Sequence, residues 1–234
     1  MRKIILADNS GFCFGVKRAV DEAINIQKQY NKKIYTLGPL IHNNDVVSYL
    51  ENRNIFSIEL KDISNLNQED VIVIRSHGVP KEVISILESR GLTVVNATCP
   101  FVTNIQKKVS KYSEEGYHIV ILGDEKHPEV VGINGWCNNN ATVTKDGNIN
   151  IELPEKVCAV SQTTEKRKNW DNTIEHLKDV KKLLSFNTIC AATDVRQKST
   201  YELSKQVDAM IVIGGKNSSN TTKLYNLSLI HISE

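Results

Sequence analysis

The sequence Gly11-Phe-Cys-Phe-Gly-Val-Lys-Arg-Ala-Val20 lies between a short apolar run, residues 4–6, and a segment with the apolar periodicity of a helix. It therefore predicts that Cys13 lies on a turn between a short strand and the start of a helix. Glycines at residues 11 and 15 leave space around the thiol, and a helix N-terminus stabilises a thiolate. Taken alone, Cys13 is either a nucleophile or metal ligand, or a buried structural cysteine.

The same arrangement occurs twice more along the chain. Cys99 follows the apolar residues 92–95 and opens a helical pattern, and Cys190 opens another, predicted over residues 194–206. At 25, 24 and 24 residues after the three cysteines an apolar strand ends in a glycine: Gly38, Gly123 and Gly214. A polar residue follows each glycine by four positions: His42, His127 and Ser218. This spacing is an internal threefold repeat.

Each of the first two repeats contains a second apolar strand, at residues 71–74 and 157–160, that leads into another polar loop. His77 and Thr163 lie 39 and 40 residues after the first and second of those glycines, so these loops are also equivalent. The alternation of strands and helices predicts parallel sheets with covering helices. Because ligands bind beyond the carboxyl ends of such strands, we expect the polar loops to form the site.

We predict an α/β protein of three pseudo-equivalent lobes with mostly parallel sheets, arranged around a common axis where the three thiols meet. The lobes are expected at residues 14–98, 99–189 and 190–234, and an N-terminal strand within residues 1–13 is expected to join the third lobe. The third repeat has no counterpart of the second strand and loop, so the third lobe is expected to be incomplete.

The 234-residue chain has 40% hydrophobic and 24% charged residues, which is typical of a globular domain. Its formal net charge is +2 and it has no long basic run, so nothing indicates a nucleic-acid partner. No apolar run approaches the ~18 residues of a membrane-spanning helix, and the N-terminal run is too short for a signal peptide. Five cysteines without an export signal indicate reduced thiols and a cytoplasmic location.

Three convergent cysteines indicate an iron–sulfur cluster rather than structural zinc. Structural zinc takes four ligands at close spacing, whereas these cysteines are 86 and 91 residues apart and the repeat offers no fourth. A cluster held by three thiolates keeps one iron with an open position, which can bind a substrate oxygen and act as a Lewis acid. Cys137 and Cys158 fall outside the repeat and are expected to be buried or loop thiols.

The polar loops suit a small anionic substrate. Histidine, serine and asparagine donors near helix N-termini can form a phosphate site without a Walker sequence. Glu129, at the predicted start of a helix, either balances the helix charge or delivers a proton in a closed pocket, where burial raises a carboxyl pKa. The charged run at residues 165–182 is expected to be the solvated face of a helix.

Six segments in this order carry a resemblance to a known family: Gly11-Phe-Cys-Phe-Gly-Val16, Arg75-Ser-His-Gly-Val79, Ala97-Thr-Cys-Pro100, His127-Pro-Glu-Val130, Ser161-Gln-Thr-Thr164 and Lys216-Asn-Ser-Ser-Asn220. Across nearly its whole length the chain resembles the 4-hydroxy-3-methylbut-2-enyl diphosphate reductases, which catalyse the last step of the non-mevalonate isoprenoid pathway. The resemblance implies a three-lobed α/β fold around one four-iron four-sulfur (4Fe-4S) cluster.

The resemblance also implies roles for individual residues. The implied cluster ligands are Cys13, Cys99 and Cys190. The implied substrate-binding residues are His42, His77, His127, Thr163, Thr164, Ser218, Ser219 and Asn220. The implied catalytic residues are Glu129, which relays a proton, Thr163, which positions the substrate hydroxyl, and His127.

The implied activity is the reductive dehydroxylation of the diphosphate substrate to isopentenyl diphosphate and dimethylallyl diphosphate. The sequence has no nucleotide-binding fingerprint, so we expect an external electron donor of the ferredoxin or flavodoxin type. The family continues beyond residue 234 with a further serine motif, and residues 227–234 do not resemble its continuation. The chain is therefore expected to be a C-terminally truncated member.

Three alternatives remain at this point. A cluster-dependent hydro-lyase would also use an open iron, but it would turn over without a reductant. An iron–sulfur electron carrier would not need the surrounding histidine, serine and glutamate side chains. The third alternative is an inactive fragment of the reductase.

Overall fold

The computed structural model describes residues 3–229, and its body consists of two four-stranded sheets. The first contains β1 (Ile34–Leu37), β2 (Ile55–Ile58), β3 (Val71–Ile74) and β4 (Thr93–Asn96), in the order β2-β1-β3-β4. The second contains β5 (His118–Leu122), β6 (Thr142–Thr144), β7 (Lys156–Ser161) and β8 (Lys182–Ser185), in the order β6-β5-β7-β8. All neighbouring strands are parallel. The two sheets therefore have the same topology, as the repeat predicts.

Helices connect and cover these strands. Those described are α1 (Phe14–Tyr30), α2 (Asn44–Glu51), α3 (Lys81–Ser89), α4 (Pro100–Glu114), α5 (Pro128–Asn134), α6 (Arg167–His176), α7 (Ala191–Ser204) and α8 (Ser219–Ser228). Two short 3-10 helices lie at Leu60–Asn65 and Gly135–Cys137. Within residues 3–229, no helix combines the length and apolar character needed to cross a membrane.

The central strands are buried on both faces, which explains their continuous apolar sequences. In β3, Val71 and Val73 pack in the core that includes α1, whereas Ile72 and Ile74 pack in the core that includes α3. The alternation follows from the two-residue period of a strand. The second sheet lies between α4 and α6 in the same way.

The sheets bring the polar loops to their carboxyl edges. The loops after β1, β3, β5 and β7 contain the predicted site residues, and parallel strands end at the same edge of a sheet. The loops after β3 and β7 also form hydrogen bonds to the next cysteine in the sequence. The Cys99 N–H donates to the Ser76 carbonyl at 2.9 Å, and the Cys190 N–H donates to the Thr163 carbonyl at 2.9 Å.

Two predicted strands are not formed. Residues 4–6 and 211–213 have no regular secondary structure, and Ile4 and Ile213 are 96% and 92% exposed. An apolar run becomes a strand where another strand hydrogen-bonds to it. The third repeat contributes only α7 and α8 to the described residues, so neither run has such a neighbour. The prediction of an N-terminal strand is therefore wrong for residues 3–13, and residues 1–2 lie outside the described residues. The three lobe boundaries remain predictions.

The charged run is also not one solvated helix. Within residues 165–182, α6 covers only Arg167–His176, and Lys182 begins strand β8. Glu165 is buried, because it pairs with a lysine from a distant part of the chain. Helix α7 begins directly after Cys190, earlier than the predicted residue 194.

Candidate active site

Each of the three repeat cysteines lies at the N-cap of a helix. Cys13 precedes α1, Cys99 precedes α4 and Cys190 precedes α7. Within the described chain, none of these side chains caps its own helix by a hydrogen bond. All three thiols therefore lie where a helix begins.

Cys13 and Cys190 both lie close enough to the Cys99 thiol to influence its pKa. Burial raises the pKa of the Cys99 thiol, two backbone N–H groups of α4 lower it, and the nearby Cys13 and Cys190 raise it again. Helix α1 passes close to this thiol, since a Cβ at Gly15 would overlap Sγ of Cys99. The glycine that the sequence places two residues after Cys13 is thus required for a close approach.

Two arginines connect the cysteine loops across the chain. Nη2 of Arg18, on α1, donates to the Thr98 carbonyl at 2.7 Å, next to Cys99. Nε and Nη2 of Arg196, on α7, donate to the carbonyls of Asn9 and Gly11 at 2.9 and 2.7 Å. These contacts join the helix that follows Cys190 to the loop that precedes Cys13.

His42, His77 and His127 form a compact group, referred to below as the histidine trio. Their ring centroids are 4.7 Å (His42–His77), 5.7 Å (His42–His127) and 5.5 Å (His77–His127) apart. Nδ1 of His127 accepts a hydrogen bond from the Glu129 N–H at 3.1 Å and so caps α5. This bond assigns the ring proton of neutral His127 to Nε2. Nε2 of His42 and Nδ1 of His77 are buried without a partner among residues 3–229.

The histidine trio is uncharged at neutral pH. Burial, and after it the neighbouring His42, lower the pKa of His127 to about 4. Burial also lowers the pKa of His77 well below its usual value and lowers that of His42. The site therefore contains neutral imidazoles, each able to donate one hydrogen bond.

Glu129 is bound on both carboxylate oxygens by one residue. The Thr163 N–H donates to Oε1 at 2.6 Å, and the Thr163 hydroxyl donates to Oε2 at 2.7 Å. Burial raises the pKa of Glu129, while these two bonds lower it. The structure thus joins two side chains with implied roles. The resemblance implies a proton relay for Glu129 and the positioning of the substrate hydroxyl for Thr163.

The start of α8 completes the site from the third repeat. Ser218 caps α8 by accepting the Thr221 N–H at 3.3 Å. The hydroxyls of Ser219 and Thr164 are hydrogen-bonded at 3.0 Å. Oδ1 of Asn220 is buried without a partner among the described residues. The preceding loop packs on the histidine loop, since a Cβ at Gly215 would overlap the His42 carbonyl.

Three residues of this region were not predicted from the sequence as parts of the site: Lys223, Glu165 and Arg75. Nζ of Lys223, on α8, is 2.6 Å from Oε1 of Glu165 and donates to the Thr164 carbonyl at 2.7 Å. The position of Glu165 directly after the Ser-Gln-Thr-Thr segment is the one signal that could have indicated its role. Arg75 lies two residues before His77, in one of the six segments that carry the resemblance. The resemblance implies no role for this arginine.

The remaining two cysteines lie away from these groups. Cys137 and Cys158 pack in the core between α4 and the second sheet, which confirms the prediction of buried thiols. Burial raises the pKa of Cys158 to about 12, so it remains a thiol. The predicted site residues therefore fall into three groups: the cysteines, the histidine trio with the start of α8 and Thr164, and the Glu129–Thr163 pair.

Comparisons with known proteins place the chain in a family. A family profile described as LytB protein matches residues 4–233. The 4-hydroxy-3-methylbut-2-enyl diphosphate reductase of Clostridium perfringens (strain SM101 / Type A) is 64% identical over 228 residues, which are 97% of this chain and 80% of that protein.

Two solved structures share the fold. One is an (E)-4-hydroxy-3-methyl-but-2-enyl diphosphate reductase described as the terminal enzyme of the non-mevalonate pathway; its TM-score is 0.74 at 39% identity, over 97% of this chain and 82% of that one. The other is the E-1-hydroxy-2-methyl-but-2-enyl-4-diphosphate reductase from Plasmodium falciparum, with a TM-score of 0.89 at 27% identity, over 95% of this chain and 72% of that one. The predicted α/β fold class is confirmed. The chain therefore belongs to the LytB protein family and is a reductase of the non-mevalonate pathway.

Proposed function

We propose that the chain catalyses the reductive dehydroxylation of 4-hydroxy-3-methylbut-2-enyl diphosphate to isopentenyl diphosphate and dimethylallyl diphosphate. One continuous series of hydrogen bonds carries this proposal. It runs from the His127 ring to Glu129, from Glu129 to Thr163, and from the Thr163 carbonyl to the N–H of Cys190. The series joins an anion site, a proton source and a thiol ligand, which are the three parts that this reaction needs.

The cysteine group fits a 4Fe-4S cluster with three protein ligands. The three thiols lie at helix N-termini, and Gly15 leaves space beside Cys99. Within residues 3–229, their sulfurs are not all within the 4.8 Å of one another that a single shared ion would need. Cys13, Cys99 and Cys190 would each hold a different iron. Such a cluster supplies single electrons and, with three ligands, one Lewis-acidic iron.

The histidine trio and the start of α8 fit the diphosphate. Nε2 of His127 carries a proton, and buried nitrogens of His42 and His77 have no partner within the described chain. A buried polar atom without a partner is unfavourable unless a ligand satisfies it. Ser218, Ser219 and Asn220 add hydroxyl and amide groups at a helix N-terminus, where anions are stabilised.

Glu129 and Thr163 fit the delivery of a proton to the substrate hydroxyl. When Glu129 is protonated on Oε2, it donates to Oγ1 of Thr163, and the Thr163 hydroxyl donates to the substrate oxygen. Each turnover breaks the allylic C–O bond, consumes two electrons and two protons, and releases the oxygen as water. The electrons come from an external donor of the ferredoxin or flavodoxin type.

The test is anaerobic reconstitution with iron and sulfide, followed by a reductase assay with dithionite and a viologen. The reconstituted protein should absorb visible light and should convert the substrate only when the reductant is present. Changing Cys13, Cys99 or Cys190 to serine should abolish the absorption, and Cys137→Ser should leave it unchanged.

Three results would contradict the proposal. Turnover without reductant would indicate a hydro-lyase. A stable cluster that does not bind the substrate would indicate an electron carrier. Loss of the absorption in Cys137→Ser, with retention in Cys99→Ser, would contradict the ligand assignment.

A further inference from the structure

The side chain of Arg75 extends from the end of β3 across the end of β1. A Cβ at Gly38 would overlap Nη1 of Arg75, so residue 38 must be glycine for the guanidinium to lie here. Gly38 also has a φ of +69°, which is a left-handed conformation that glycine adopts without strain. Nε of Arg75 is buried and unpartnered, and the guanidinium forms no ion pair with any of residues 3–229.

Arg75 is half-buried with its Nε fully covered, and moving a charge even partly out of water without a partner is unfavourable. Burial lowers the pKa of Arg75, and the carboxylate of Glu59 raises it. Glu59, however, is exposed and is already bonded to the 3-10 helix Leu60–Asn65 through a capping box. Arginine stays protonated in proteins. The positive charge is therefore fixed, and the described residues leave it for a ligand to neutralise.

The charge of Arg75 reaches the histidine trio. Besides burial, the positive charge of Arg75 is among the causes that lower the pKa of His42, His77 and His127. The site therefore combines three neutral imidazoles with the guanidinium of Arg75, whereas Lys223, the other cation that lowers the pKa of His127, is paired with Glu165. The imidazoles supply directed hydrogen bonds, and the guanidinium supplies the charge that they lack.

The histidine trio by itself would also suit a metal ion. One nitrogen from each ring lies within 4.8 Å of the others, and imidazole is a good ligand for divalent transition metals. We propose that Arg75 sets the charge preference of this site, so that the trio binds the substrate's diphosphate and rejects divalent cations. The physical reason is Coulombic, because a fixed positive charge attracts the anion and repels the cation. This inference rests on the proposed function, which supplies the diphosphate.

The first measurement is the affinity of the cluster-loaded protein for inorganic pyrophosphate, by isothermal titration calorimetry. Arg75→Met, which removes the charge but keeps an unbranched side chain, should weaken binding roughly 10- to 100-fold, the range for one charge-assisted contact. Arg75→Lys, which keeps the charge, should bind nearly as well as the wild type. Arg53→Met is the matched control, since Arg53 lies in the same repeat and its Nη1 donates to the exposed Tyr49 carbonyl.

The second measurement is the affinity for nickel(II) chloride, which prefers imidazole ligands. Arg75→Met should bind nickel more tightly than the wild type does, and the added change His127→Ala should abolish this gain. A variant that had lost its structure would lose both ligands, so a gain in nickel binding separates a charge effect from misfolding. Arg75→Gln provides the same test if Arg75→Met does not retain the cluster absorption.

The inference is overturned if Arg75→Met binds pyrophosphate as tightly as the wild type. It is also overturned if Arg75→Lys is as weak as Arg75→Met, since the charge would then not be the cause, or if nickel binding does not increase. A wild-type protein that does not bind pyrophosphate at all would instead overturn the proposed function, and this inference with it.

Discussion

Glu129 experiences opposing influences on its protonation. It is 3% exposed, and this burial is the largest influence and raises its pKa. The two bonds from Thr163 lower the pKa, and the positive charge of Lys223 lowers it further. Because burial dominates, Glu129 retains its proton to a higher pH than an exposed glutamate does. A carboxyl group with a raised pKa is suited to act as a general acid.

Glu129→Gln should therefore lower turnover by roughly 10²–10⁴, the contribution of general acid catalysis, while substrate still binds. Glutamine keeps the size of the side chain and can accept a bond from Thr163, but it has no transferable proton. In the wild type, turnover should fall as the pH rises through the raised pKa of Glu129, and the variant should lack this decrease. Steady-state turnover over a pH series, with saturating reductant, measures both effects.

Glu125→Gln is the control for this experiment, because Glu125 is exposed in the loop before His127. Its turnover and pH profile should match those of the wild type. Near-normal turnover of Glu129→Gln would remove Glu129 from the mechanism.

Residues such as Cys13, His127 and Glu129 could be predicted because each has a fixed position relative to a strand end or helix start. Arg75 and Glu165 could not be predicted in this way. Lys223 pairs with Glu165, which lies 58 residues earlier in the sequence. The spacing of residues along the chain does not indicate which distant charges form such pairs. The sequence therefore indicates the residues that the repeat positions, but not those that long-range pairing positions.

Helix α8 is attached to the second repeat by a buried ion pair. The side chains of Lys223 and Glu165 are 16% and 5% exposed, and Lys223 also bonds to the Thr164 carbonyl. The Thr164 hydroxyl in turn bonds to Ser219 at the start of α8. Removing one partner of a buried pair leaves the other charge without compensation, which costs about 3–5 kcal/mol.

Lys223→Met should thus lower the free energy of unfolding by about 3 kcal/mol and weaken pyrophosphate binding, because Ser219 loses its fixed position. The double variant Lys223→Met/Glu165→Gln should recover much of this loss, since no buried charge remains. Urea unfolding and pyrophosphate titration measure the two effects.

The exposed pair Lys178–Glu175 is the control for the buried one. Its side chains are 59% and 68% exposed, so Lys178→Met should cost at most about 1 kcal/mol. Equal losses in Lys178→Met and Lys223→Met would contradict a special role for the buried pair.

Helix starts were easier to predict than the strands of the third repeat. Pro100 and Pro128 open α4 and α5, where proline at the first helical position is favourable, and both starts can be read locally. The apolar residues 4–6 and 211–213 have the composition of strands, but a strand also depends on a neighbour. That neighbour is a property of the sheet, so the local pattern could not decide whether these strands form.

Distant parts of the described chain contribute to the candidate site. Two sheets of identical strand order present their carboxyl edges, and the cysteines come from three separate parts of the sequence. Arg196 joins the helix after Cys190 to the loop before Cys13 by two hydrogen bonds. These bonds cross 187 and 185 residues, so they connect the two ends of the described chain.

Arg196→Gln should accelerate the loss of the cluster, because the Cys13 loop loses both bonds that attach it to α7. The rate of decay of the visible absorption in the presence of an iron chelator measures this effect under anaerobic conditions. Arg167→Gln is the control, since Arg167 is exposed on α6 and pairs with Asp171. Identical decay rates for both variants and the wild type would show that the arginine does not hold this loop.

The long span of the Arg196 contacts also matters while the protein is being made. A ribosome builds the chain from its N-terminus, so the loop around Cys13 emerges long before Arg196 and Cys190 exist. During this interval the nascent thiol has neither its anchoring bonds nor its fellow ligands, and a free, accessible thiol is open to oxidation. If Cys13, Cys99 and Cys190 hold the proposed cluster, its insertion must therefore follow translation of the chain as far as Cys190.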